Sequence, residues 1–204
     1  MSETLLKFDH TLFFLINGLH HPVADWFFLV VTQLGNGWVV TPILLLTVFL
    51  KVPRQHLMRV ILCGAVGMTL CGIVNSQIKH SVNRSRPSSV FGNELSADPS
   101  APDSPRQGRV HIVGTDYSNR SFPSGHTNTA FAAATFLALL LGGWFYLSYT
   151  AALLVGYSRV YLGVHFPLDV AAGALVGSGM MWVFIRLFEW GVNFIRSGFA
   201  HGKQ

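Results

Sequence analysis

From Val60 to Ile78 the chain runs without a single Asp, Glu, Lys, Arg or His. At 1.5 Å per residue such a run is long enough to cross a bilayer, and a helix satisfies its backbone there without outside partners. Its small residues Gly64, Ala65, Gly67 and Gly72 suit close helix packing. Other apolar runs extend over Trp38–Leu50, Thr127–Leu141, Trp144 to about Leu162, and Pro167–Phe188. Only 11% of the residues are charged, against about 25% in soluble domains. The expectation is an all-α fold: a single integral membrane helical bundle over residues 1–204, with about five spans and six as the alternative.

The N-terminal segment has a different pattern. Residues 3–21 carry Leu5, Leu6, Phe8, Leu12, Phe13, Leu15, Ile16 and Leu19, interrupted by Lys7, Asp9, His10, Asn17, His20 and His21. Such a helix, stopped at Pro22, reads as interfacial. Residues 23–34 read as a second short helix, and Gly35-Asn36-Gly37 as a break. The Trp38–Leu50 span borrows residues from before that break to reach full length. Lys51, Arg54, His56 and Arg59 form a basic turn.

A polar segment from about His80 to Arg120 follows the second span. It holds four prolines with frequent Ser and Asp, and residues 88–120 are read as an extramembrane loop between the second and third spans. Within it, Val110, His111, Ile112, Val113 and Tyr117 offer apolar surface for docking near the membrane. Two spans separate residues 80–126 from residues 158–169, so both segments belong to one membrane face. Loop charge puts the basic turn, Arg186, Arg196 and Lys203 on the cytoplasmic side.

The net charge of +5 is scattered over short polar segments, which excludes a nucleic-acid stripe and favours anionic lipid headgroups. Cys63 and Cys71 are eight positions apart on one helix, roughly 12 Å, too far for a disulfide. The N-terminus lacks the basic region and cleavage site of a signal peptide.

Three short segments carry chemistry. Lys79-x6-Arg86-Pro87 supplies a point charge and a fork suited to phosphate, although basic residues at a helix end also snorkel. Ser121-Phe122-Pro123-Ser124-Gly125-His126 reads as a helix start. Ser124 or Ser121 is the cap, Pro123 lies in the first turn, and Gly125 permits close approach to the backbone. A helix N-terminus of this kind accepts anions, and His126 beside it can pass a proton to a leaving oxygen. Ser158-Arg159-x5-His165-x3-Asp169 places a carboxylate one helical turn from an imidazole. That pairing fixes the tautomer and frees the other ring nitrogen. His10, His80 and His111 lack such partners in sequence and are taken as surface residues. Two His and one Asp among three cations make a poor metal site, since hard metals want several oxygen ligands. The cations favour an anion.

In order and separation the three segments resemble the motifs of the type 2 phosphatidic acid phosphatase (PAP2) family, which shares its phosphate site with vanadium haloperoxidases. The resemblance covers residues 60 to 175. The pattern around Asp9, Asn17, Pro22, Asp25 and Gly35 is also similar to bacterial members acting on polyprenyl diphosphates. The resemblance implies a lipid phosphatase needing no metal or other cofactor. His165 is then the nucleophile forming a phosphohistidine, Asp169 its orienter and His126 the acid. Lys79, Arg86, Ser124, Gly125 and Arg159 are the phosphate ligands. Implied partners are a lipid phosphate and membrane lipids, with no nucleic acid. The implied site is a bacterial inner membrane, facing the periplasm or cell exterior. Undecaprenyl diphosphate, phosphatidylglycerol phosphate, the 1-phosphate of lipid A and phosphatidate all remain open as substrates. A phosphotransferase and a non-enzymatic transporter of anionic lipid are the alternatives.

Overall fold

Helices dominate because the apolar runs leave the backbone no partner but itself. The computed structural model describes residues 3–92, 110–115, 117 and 120–201, with side chains as far as Gly191. The expected loop between residues 93 and 109, the Arg196 side chain and Lys203 lie outside the described residues.

The helices are α1 (Glu3–Asn17), α2 (Pro22–Val31), α3 (Gly37–Lys51), α4 (Arg54–Val82), α5 (Pro87–Phe91), α6 (Gly125–Leu141), α7 (Ser148–Tyr161) and α8 (Pro167–His201). Two helices, those beginning at Arg54 and Pro167, are long and apolar enough to cross a membrane. A third crossing is available if α1 and the segment Pro22–Gly35, bent by 114° at their junction, count as one broken span. The chain is therefore a multi-pass, all-helical membrane protein.

Two expected spans are shorter than read from sequence. A 3-10 turn at Thr32–Gly35 ends the α2 segment, and Asn36, in extended conformation, caps α3 by accepting from the Trp38 N–H. α3 therefore stands alone at 15 residues. The run from Trp144 splits because Gly142 and Gly143 take positive φ and a second 3-10 turn occupies Gly143–Leu147. Ser148 Oγ donates to Phe145 O at 2.5 Å, and α7 starts only there.

The packing corrects the reading of α1. Its buried face is Asp9, Phe13 and Asn17, at i, i+4 and i+8, while Leu5, Phe8, Leu15 and Leu19 are exposed. Leu5, Phe8, Leu15 and Leu19 of the expected apolar stripe face outward while Phe13 turns inward and Leu6, Leu12 and Ile16 are half-buried, because lipid solvates Leu and Phe while Asp and Asn need protein partners. Asn17 Nδ2 donates to His111 O and Tyr161 O, both at 2.8 Å, and Asn17 Oδ1 accepts from the His111 N–H at 3.0 Å. Val110 and Ile112 are buried with Phe13, Val160 and Phe166, so this stretch belongs to the protein core and offers no docking surface. His10 and His111 are not surface residues either. His10 stands edge-on to Phe91, and His111 stacks on His20 at 4.0 Å and lies 3.7 Å from Asp25.

α6 lies at the centre, packed most extensively against α8 and then against α7 and α4. The α6–α8 approach depends on Gly173 and Gly177. A Cβ on either would come within 2.5 Å of Ser124 O and 2.3 Å of Asn128 O respectively. The C-terminal ends of α4 and α7 and the N-terminal ends of α6 and α8 thereby meet at one end of the bundle. Cys63 and Cys71 are buried, free thiols in the cluster that holds Phe136.

Candidate active site

α4 ends because Asn83 adopts the left-handed conformation, which Asn tolerates better than most residues. The chain then runs extended through Arg84 to Arg86 before Pro87 opens α5. Both arginines are thereby aimed into the bundle end. Arg86 is buried, donates to Val164 O at 2.7 Å and to Arg120 O at 3.4 Å, and reaches His165 Nε2 at 3.4 Å. Arginine can only donate, so Nε2 is the acceptor and the ring proton sits on Nδ1. Nδ1 lies 3.4 Å from Asp169 Oδ2, a close contact without good hydrogen-bond alignment. Such contacts tighten when substrate is bound. Asp169 Oδ2 also accepts the Phe166 N–H at 2.9 Å.

His165 lies in the five-residue connection between α7 and α8 and is almost completely buried. Burial, acting first, pulls its pKa down to about 3. Asp169 opposes this, and Arg159 and Arg86 add to it. The imidazole is therefore neutral at any physiological pH, with its unprotonated nitrogen beside a guanidinium.

α6 begins at Gly125, at least two positions later than a Pro123 in the first turn would require. Ser124 holds the N-cap position, but neither serine's hydroxyl caps a helix N–H. Ser124 accepts from Thr127 Oγ1 at 3.0 Å, and Ser121 Oγ donates to Ser85 O at 3.0 Å. The first N–H groups of α6 have no side-chain cap, so they can serve an anion. His126, in that same turn, packs against Gly35, where a Cβ would stand 2.8 Å from the His126 Cβ. The cations acting on His126 are Arg159, Lys79 and Arg86. Lys79 is half-buried in the last turn of α4. Arg159 is buried, donates to Thr32 Oγ1 at 2.8 Å and shares the Tyr117 ring with Arg86. All eight residues singled out in the sequence thus stand at one end of the bundle. Among the described residues no cluster of three His, Cys, Asp or Glu is placed to hold a metal ion.

Sequence reasoning missed Arg84, and it named Asp9 only as part of the N-terminal pattern, with no role at the site. Arg84 NH1 meets Asp169 Oδ1 at 2.7 Å and its NH2 meets Asp9 Oδ2 at 2.5 Å. Asp9 Oδ1 also accepts the Leu168 N–H at 2.8 Å. The available signal was the carboxylate of Asp9 in line with Phe13 and Asn17 at four-residue spacing.

With that geometry, the comparisons with known proteins agree. The PAP2 superfamily matches residues 60–192. A lipid A 4'-phosphatase of Bacteroides thetaiotaomicron is 32% identical, over 90% of this chain and 78% of its own. An undecaprenyl-diphosphatase of Sulfolobus acidocaldarius is 28% identical, over 91% of this chain and 81% of its own. The crystal structure of Aquifex aeolicus LpxE superposes with a TM-score of 0.65 at 31% identity, covering 86% of this chain and 93% of the other. Family match, relatives and shared fold agree that the chain belongs to the PAP2 superfamily.

Proposed function

We propose that this bundle end removes a phosphoryl group from a lipid headgroup through a covalent histidine intermediate. The chain is a membrane lipid phosphatase of the PAP2 type, and the carrying observation is His165 held between Arg86 on Nε2 and Asp169 on Nδ1. Nε2 attacks phosphorus, the P–O bond to the leaving group breaks, and its electron pair stays on the leaving oxygen. His126 protonates that oxygen and then takes a proton from the water that releases phosphate from His165. Lys79, Arg86, Arg159, Ser124 and the Gly125 N–H hold the equatorial oxygens, where charge accumulates in phosphoryl transfer.

An apolar groove of about 460 Å³, lined by Ile16, Leu153, Tyr157, Val160, Pro167 and Val170, runs along α7 and the start of α8. It suits an acyl or prenyl tail with its headgroup at the site. The relatives' names span lipid A and undecaprenyl diphosphate, so the substrate class is a phosphate or diphosphate on a large bacterial lipid. We read residues 1–204 as one unit, with α3, α6 and α7 as further short spans making five. Exposed Trp26 and Trp38 near the site end and Trp144 and Trp190 at the other are placed like the aromatic belts of a membrane protein. The basic turn at 51–59 and Arg186 lie away from the site, which supports a site facing the periplasm or exterior of an inner membrane.

The test is phosphate release by purified protein in detergent. The panel is undecaprenyl diphosphate, phosphatidylglycerol phosphate, lipid A and phosphatidate, each with and without EDTA. Wild type should turn over at least one lipid with EDTA present, and His165→Ala should lose at least ~10³-fold in kcat. Wild-type turnover by His165→Ala, or loss with EDTA that a divalent ion restores, would overturn the reading.

A further inference from the structure

α1 lies outside the matched residues 60–192, yet its one buried charge reaches the nucleophile's support. Asp9 and Asp169 are both completely buried, and Arg84 stands between them with one nitrogen on each. Arg84 is further held over the Phe166 ring at 4.2 Å. Asp9 is also tied to the start of α8 through the Leu168 N–H, one residue before Asp169. The chain that results runs Asp9, Arg84, Asp169, His165, and joins α1, the α4–α5 linker and α8.

The charges decide what this chain does. One guanidinium between two carboxylates leaves one net negative charge beside His165. When Nε2 bonds to phosphorus the ring becomes cationic, and that residual charge stabilises it. Without Asp9, Arg84 would belong to Asp169 alone and cancel it. Without Arg84, two buried carboxylates would be left without the cation that stands between them. Building on the phosphatase reading, we propose that Asp9 is a positioning residue. Through Arg84 it fixes the orientation and net charge of the Asp169 that supports His165, making α1 part of the catalytic apparatus.

The two arginines of the linker have different duties. Arg86 faces the phosphate. Arg84, two residues earlier, serves the back of the nucleophile and does not touch substrate. A lysine at 84 would keep the charge but lose the fork that spans both carboxylates.

The experiment measures kcat and KM of Asp9→Asn, Arg84→Lys and Asp169→Asn, and of Asp9→Asn combined with Asp169→Asn. Melting in detergent is followed alongside. Asp9→Asn should lower kcat by about 10- to 100-fold, the scale of losing support behind a catalytic group, with KM within about threefold. In the Asp169→Asn background the same change should cost less than about threefold more, because Asp9 acts only through Asp169. A merely structural Asp9 would give equal losses in both backgrounds, and that result overturns the proposal, as does an unchanged kcat. If Asp9→Asn fails to fold, Arg84→Lys takes its place in the same cycle with the same expectations. Loss of turnover in His165→Ala with none in Asp9→Asn sinks this proposal alone, whereas retained turnover in His165→Ala sinks the phosphatase reading itself.

Discussion

His165 stays neutral because almost no water reaches it, and this has a consequence for stability. Its folded pKa of about 3 lies below the ordinary 6.5. As pH falls through 6.5 the unfolded chain protonates this imidazole, while the folded chain does so only near 3. In that window the unfolded state binds more protons, so stability falls as pH falls from 6.5 towards 3. Above 6.5 the group contributes no slope. His165→Gln should flatten the acid side of a melting-temperature profile by up to one proton's worth, and an unchanged slope would show that His165 is not a neutral buried group. On the proposed mechanism, the same number places any activity loss near neutral pH on a residue other than His165, which is already deprotonated there.

At the scale of helices, the site is set by how closely α6 and α8 approach. Gly177 passes over Asn128 O and Gly173 over Ser124 O, where a Cβ would fall far inside contact distance. The obstacle is backbone carbonyl, which cannot swing aside like a side chain. Gly177→Val should therefore cost at least ~2 kcal/mol as an overpacked contact. It should also lower kcat, because it moves α6 and its uncapped first turn relative to Asp169, whose backbone carbonyl accepts the Ser124 N–H at 2.9 Å. Melting temperature and kcat measured together check this, and a variant as stable and active as wild type would show that α6 and α8 do not need this approach. Gly179, with open space around it, is the control on the same helix. Sequence inspection marks all these glycines as small and does not separate them. Only the neighbour across the interface does.

For the whole molecule, the described residues of the segment between α5 and α6 are part of what the core needs. Val110 and Ile112 pack with Phe13 and Phe166, and Tyr117 lies beneath Arg86 and Arg159. The Val110 N–H donates to Gly92 O at 3.1 Å, so the ends of the 93–109 stretch are already adjacent. Replacing 93–109 by a short Gly/Ser linker should leave kcat/KM for a small soluble phosphate ester within about threefold and change the ranking among large lipids. Contacts away from the reacting centre set that discrimination. Equal losses on ester and lipids would show instead that the stretch supports the cradle. Sequence alone determined the membrane class, through runs such as Val60–Ile78 that have no charge to place in water. It also singled out the eight residues that the fold brings to one end of the bundle, because each motif packs its chemistry into a few consecutive positions: Arg86 beside Pro87, Ser124 to His126, His165 one turn from Asp169. Helix lengths were less legible, since the break at Gly35-Asn36-Gly37 fully separates α2 from α3 and Ser148 starts α7 inside an apolar run. The tertiary structure decided which way α1 faces and what Asp9 and Arg84 do. Periodicity finds an apolar stripe but cannot say whether lipid or protein covers it. A bridge between residues 9, 84 and 169 exists only once three elements have packed.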